Sequence, residues 1–262
     1  MKDSTRRIIT GMFLLILLCS VLSLGPIPIT LALFCISLLG LSELYAMMGI
    51  QKNPIIWGIT AFITGLLFLL SFTSNAYLML IGVIYIVALP LLLFLILWGI
   101  FDVDVPFTYY TSMVFALMYI PFALQFALLL SIYEQIFVLL ITTMSDTGAY
   151  FGGRYFGKRL LWPKVSPKKT VEGSLAGLLL TLFVCLLYGG VFLNYSPFLL
   201  VLIIVKLNIT SQLGDFFESG LKRIYNVKDS GTLLPGHGGV LDRIDSLLFV
   251  IPAYYIIKIL CI

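Results

Sequence analysis

Residues 197–223 read PFLLVLIIVKLNITSQLGDFFESGLKR, an apolar run that ends in carboxylates and then in paired cations. Between 197 and 214 the only charge is Lys206. A bilayer-spanning α-helix needs about 20 predominantly apolar residues, so this run is long enough to cross with its charged end at the water boundary. Asp215 and Glu218 then follow at i, i+3, the spacing that places two side chains on one helix face.

The rest of the chain repeats the pattern. Of 262 residues, 61% are hydrophobic and 11% charged, with a mean hydropathy of +1.11. Soluble domains carry about 25% charged residues, so the bilayer is the solvent for most of this surface. The apolar runs are too long and too continuous for β-barrel strands. The fold class is all-α, a polytopic integral membrane protein of about nine transmembrane helices. Breaks at Gly, Pro, Asn and charge put the spans near 8–24, 27–49, 55–72, 76–100, 107–121, 123–144, 173–193, 197–214 and 245–262. The first resembles a signal peptide but lacks a small-x-small cleavage site, and is read as an uncleaved span. Cys19, Cys35, Cys185 and Cys261 lie in apolar runs without metal-ligand spacing and are read as packing residues. Residues 1–122 form N-terminal spans and 123–262 a C-terminal region holding the polar motifs, within one continuous membrane domain.

Charge sets the expected orientation. Of the sixteen Lys and Arg, Lys206 and Lys258 lie within spans. With the N-terminus inside, the other fourteen fall on one face, which the positive-inside rule makes cytoplasmic. The location expected is the inner (cytoplasmic) membrane, multi-pass, with the polar motifs facing the cytoplasm.

Those motifs occupy three segments. The first, Ser145-Asp-Thr-Gly-Ala-Tyr-Phe-Gly-Gly-Arg154, sets Asp146 at the end of a span, ahead of glycines that let a ligand approach the backbone. A solvated helix end with a glycine cap is the bland alternative. The second, Ser166-Pro-Lys-Lys-Thr-Val-Glu-Gly-Ser174, carries Lys168 and Lys169 just before a helix start at Thr170, where anions are favoured. Lysines anchoring to lipid head groups would look similar. The third runs from Gln212 through Asp215 and Glu218 to the loop SGLKRIYNVKDSGTLLPGHGGVLDRID at 219–245. Asp242 and Asp245 repeat the i, i+3 spacing. Paired carboxylates beside cations and glycines suit a polyphosphate and its metal, or the acids pair with Arg223 and Arg243. Glu43, Glu134 and Lys206 are charges inside spans, expected to pair with each other or to line a polar cavity.

The string Ser219-x-Leu221-Lys222-Arg223-x4-Lys228-Asp229-x-Gly231-x2-Leu234-Pro235-x-His237-Gly238-Gly239-Val240-x-Asp242-Arg243-Ile244-Asp245 closely resembles the signature of phosphatidate cytidylyltransferases, or CDP-diacylglycerol synthases. The Ser145 and Ser166 segments also look like segments of that family. The resemblance implies cytidylyl transfer from CTP to phosphatidic acid, releasing pyrophosphate, with Mg2+ as cofactor and the presence of a second cation left open. It implies Asp215 and Asp242 as metal ligands. Asp245, Asp146 and His237 join them as catalytic residues. Lys168, Lys169, Ser219, Lys222, Arg223, Gly238, Gly239 and Arg243 would bind substrate. The partners it implies are CTP, phosphatidic acid, membrane lipids and a second copy in a homodimer, with no nucleic acid. CDP-archaeol synthesis, a CTP-dependent polyprenol kinase and a transporter are the competing readings.

Overall fold

In the computed structural model, the residues described are 3–50, 53–71, 86–92, 95–96, 106–234, 236 and 238–261, the side chains of 3–8 and 261 excepted. The helices are α1 Asp3–Ser23, α2 Pro26–Met48, α3 Pro54–Ser71, α4 Phe107–Tyr119, α5 Pro121–Gln125, α6 Ile132–Phe156, α7 Val171–Phe192, α8 Pro197–Ile224 and α9 Leu241–Cys261. A short antiparallel hairpin, β1 Leu160–Trp162 and β2 Ser166–Thr170, joins α6 to α7.

The helical class holds. Among the described residues, five stretches are long and apolar enough to cross a membrane: Pro26–Met48, Pro54–Ser71, Phe107–Leu129, Val171–Phe192 and Pro197–Ile224. Most of the expected 76–100 span lies outside the described residues, and so does Lys52. Helices α6 and α9 overlap the runs expected to span as 123–144 and 245–262 but are not among the five.

Three boundaries differ from expectation, one of them because α8 continues past the expected end at 214 to Ile224. Pro121 was expected to divide a span at 107–121 from another at 123–144. Instead α4, α5 and a 3-10 turn, Phe126–Leu129, together form one 23-residue stretch, and the break falls at Leu130–Ser131. A capping box fixes that break. The Ser131 hydroxyl accepts from Glu134 N at 3.4 Å, and the Glu134 carboxylate accepts from Ser131 N at 2.7 Å. At its other end α6 does not stop near 144. It runs through the glycines to Phe156, so the Ser145 segment is helical rather than a capped end.

The chain divides into two compact units, Met1–Leu129 with Asp229–Asp242, and Leu130–Lys228 with Arg243–Ile262. In the first, Ile63, Leu67, Ile86 and Leu117 form a buried cluster, and the Tyr45 hydroxyl bonds Thr60 Oγ1 at 2.9 Å. In the second, α7 has two faces written at a spacing of four. Gly173, Gly177, Thr181, Cys185 and Gly189 are buried, whereas Leu175, Leu179, Phe183 and Leu187 are exposed. Small residues on one stripe allow close helix contact, and large apolar ones on the other suit lipid.

Small residues make the α6–α7 contact possible. A Cβ on Gly177 would lie 2.6 Å from Ser145 O, and one on Gly148 would lie 2.8 Å from Ala176 O and from Gly177 Cα. Between α7 and α8 runs a polar ladder. The Ser174 hydroxyl donates to Gln212 Oε1, Gln212 Nε2 donates to Asn208 Oδ1 at 2.8 Å, and Asn208 Nδ2 donates to Thr181 Oγ1 at 3.0 Å. The first and last of these bonds cross between the helices, and such bonds replace the hydrophobic drive that lipid cannot supply.

The isolated charges also find unexpected partners. Glu134 pairs with Lys258 at 2.8 Å and accepts from the Tyr254 hydroxyl at 3.3 Å. Glu43 accepts from Ser230 and from the backbone at 240–241. The Lys206 side chain is exposed. Pairing among these three is therefore corrected: helix rotation directs Lys206 outward, and Lys258 is the cation available to Glu134.

Candidate active site

A pocket of about 440 Å³ opens in the second unit. Helix α6 contributes Ser145, Asp146, Tyr150 and Arg154, the hairpin Lys168 and Lys169, the start of α7 Ser174, and α8 Gln212 and Asp215. These are three of the segments singled out in the sequence, brought together from positions up to 70 residues apart (215 minus 145). The glycine seam sets α6 against α7, and the ladder sets α7 against α8. Thr170 caps α7, its hydroxyl accepting from Gly173 N at 3.1 Å, so the preceding lysines stand at the helix start.

At the pocket wall Lys169 Nζ donates to Asp215 Oδ2, while the Ser219 hydroxyl donates to Asp215 Oδ1 at 3.3 Å. The Lys169 ammonium also sits 4.4 Å from the centre of the Phe216 ring, and Trp162 packs on that ring at 5.7 Å between centroids. Cation–π contact and ion pair together hold the ammonium in place. Asp215 and Glu218 share α8 but not partners, since buried Glu218 pairs with Lys222 one turn on. Neither acid takes the Arg223 partner that was one expectation. Arg223 instead donates to Val165 O at 3.4 Å.

Asp146 lies beyond the apolar run that ends at 144, and its exposed surface faces the pocket. The surrounding protein and then the Asp215 charge push its carboxyl from 3.8 up to about 6, against the opposing pull of Lys169 and Arg243. Asp245 lies within electrostatic reach of both Asp215 and Asp146. Among the described residues, no three His, Cys, Asp or Glu side chains form a ready-made metal cage. Mg2+ does not require one, because it is usually held by one or two carboxylates, with waters and phosphates completing the shell. Asp146 and Asp215 lining one pocket meet that requirement, and Lys168 and Lys169 on the same wall are donors suited to phosphate oxygens.

The cytidylyltransferase family's profile matches residues 5–261, essentially the whole chain. The chain belongs to the cytidylyltransferase family. A phosphatidate cytidylyltransferase of Bacillus subtilis is 34% identical over 268 residues, 97% of each chain. One of Staphylococcus haemolyticus is 48% identical over 125 residues, 47% of this chain and 48% of the relative. One of Staphylococcus aureus is 47% identical over 126 residues, again 47% and 48%. The matched stretch therefore spans about half the length of these staphylococcal relatives.

The remaining family positions fall in several places. Gly238, Gly239 and Asp242 belong to the first unit. There Asp242 accepts from Gly239 N at 2.8 Å and from Ser230 N at 3.1 Å, so it buttresses its own loop. Gly238 has φ +84°, a left-handed conformation that glycine adopts without strain. His237 lies outside the described residues. Arg243 is exposed on α9 in the second unit. Sequence reasoning left Ser174, Gln212, Tyr150 and Arg154 without roles, although all line the pocket. Gln212 carried a signal, as an amide within an apolar run four residues after Asn208.

Proposed function

We propose that this protein transfers the cytidylyl group of CTP to phosphatidic acid, giving CDP-diacylglycerol and pyrophosphate in phospholipid biosynthesis. The observation that carries the reading is the pocket in which Asp146, Asp215, Lys168 and Lys169 line one wall system at the polar ends of apolar helices. The family's relatives named phosphatidate cytidylyltransferase support the choice of substrates.

Chemically, a phosphatidate oxygen attacks the α-phosphorus of CTP, a new P–O bond forms, and the bond to the β-phosphate oxygen breaks. The electron pair leaves with pyrophosphate. A phosphate nucleophile is already ionised near neutral pH, so the site's task is to reduce repulsion between two polyanions. Lys169, fixed by Asp215 and Phe216, and Lys168 hold phosphate oxygens. Tyr150, Ser174 and Gln212 offer polar groups that orient the substrates. Asp215 and Asp146 would hold Mg2+, which when bound neutralises phosphate charge. Asp242 keeps the ligand role implied by the family pattern. Arg243 adds a substrate contact on the same reading, whereas Lys222 is tied to Glu218 and stabilises α8.

The charge asymmetry of the sequence supports a multi-pass protein of the inner membrane with this pocket on the cytoplasmic face, where CTP meets a lipid substrate. The working partners are CTP, phosphatidic acid, membrane lipids and a second copy in a homodimer. The test is purified protein in micelles with phosphatidic acid, Mg2+ and CTP labelled at either the α- or the γ-phosphate. The expected result is α-label in the lipid and γ-label in pyrophosphate. γ-Label appearing in lipid would replace this reading with a kinase.

A further inference from the structure

Glu43 is a buried carboxylate in α2, far in sequence from every family motif. A charge inside an apolar helix is costly unless donors surround it. Three donors do. The Ser230 hydroxyl donates to Oε2 at 3.1 Å, Val240 N to Oε1 at 2.9 Å, and Leu241 N to Oε2 at 2.8 Å. Val240 and Leu241 lead into α9, whose first N–H groups have no partner within the helix. Glu43 therefore caps α9 from another helix.

Two loop glycines make room for it. A Cβ at Gly231 or Gly239 would collide with the Glu43 carboxylate, and at Gly239 with the Ser230 hydroxyl as well. The same Ser230 connects this cap to Asp242, because its backbone N–H donates to the Asp242 carboxylate, and its hydroxyl accepts from Asp242 N at 3.3 Å. All of these residues lie within one unit.

We propose that Glu43 is a positioning residue for the cytidylyl-transfer reaction: it fixes Ser230 and residues 240–241 and, through Ser230 and the start of α9, the carboxylate of Asp242. Glutamine in its place keeps the shape but turns one acceptor into an amide donor facing N–H groups. A displacement of Asp242 by a fraction of an ångström or more lowers the rate.

The experiment compares wild type with Glu43→Gln and Ser230→Ala in micelles, reading amide hydrogen exchange at Val240 and Leu241 alongside steady-state kinetics. Glu43→Gln is expected to speed exchange at both amides, to lower kcat about 10-fold or more, and to leave KM for CTP within about threefold. Ser230→Ala is expected to lower kcat in the same direction, with the double variant no worse than Glu43→Gln alone. Unchanged exchange, faster exchange with unaltered kcat, or additive losses would each overturn the proposal. If Glu43→Gln does not fold, Ser230→Ala alone decides, and an unaltered kcat overturns it. The kinetic arm rests on the proposed reaction. The exchange arm does not, so a wild type inactive with CTP and phosphatidic acid would sink that reaction while exchange still reports whether Glu43 holds the loop.

Discussion

Lys169 carries the most specific chemistry at the scale of single residues. It is held by a carboxylate on one side and an aromatic face on the other, so its charge is fixed in place at the pocket wall. Lys169→Met removes the charge while keeping much of the aliphatic stem, and kcat/KM for CTP is expected to fall by at least about 100-fold, measured by pyrophosphate release. Asp146 gives a prediction in pH. Its folded-state pKa is raised from 3.8 to about 6, so the folded protein holds that proton more tightly than the unfolded chain. The stabilisation is complete below pH 3.8 and is lost as pH rises through about 6. In metal-free buffer Asp146→Asn should raise Tm at pH 8, and the gain should shrink as pH is lowered through 6. A gain that grows toward acid would contradict the assignment.

The decisive contacts between elements are those of small residues. Gly177 and Gly148 stand where α6 and α7 touch backbone to backbone, so Ala at either forces the helices apart. Gly177→Ala is expected to destabilise by about 1–3 kcal/mol in detergent unfolding and to lower activity, because the seam sets the pocket's width. Gly190, in the same helix, has open space around it. Gly190→Ala should leave activity unchanged and gain about 0.5–1 kcal/mol from helix propensity. Equal effects at the two positions would show that propensity, rather than close approach, explains the seam.

At the scale of the whole molecule, the C-terminal half was far more legible than the N-terminal half. Hydropathy alone marks α2, α3 and α7 within a few residues, and the start of α8 but not its end, because an apolar run of about 20 residues has one physical meaning. The pocket was legible as three polar segments, since charge beside glycine in so apolar a chain needs a purpose. What sequence could not supply was rotation and pairing. Glycines after Asp146 read as room for a ligand, with a capped helix end as the alternative, yet the helix continues through them and they pack against Gly173 and Gly177. Pro121 read as a boundary, whereas the Ser131–Glu134 capping box sets the stronger one. Glu43 had no local partner, its donors being some 187 to 198 residues away along the chain. The hairpin between α6 and α7 was missed because its strands, three and five residues long, carry no alternating pattern.

The central claim is that the pocket bearing Asp215 performs the chemistry. The most direct measurement is turnover of Asp215→Asn with saturating CTP, phosphatidic acid and Mg2+, taken together with its thermal unfolding in the same micelles. The account expects turnover at least about 100-fold below wild type with Tm changed by no more than about 4 °C. A folded variant working at nearly the wild-type rate would contradict it.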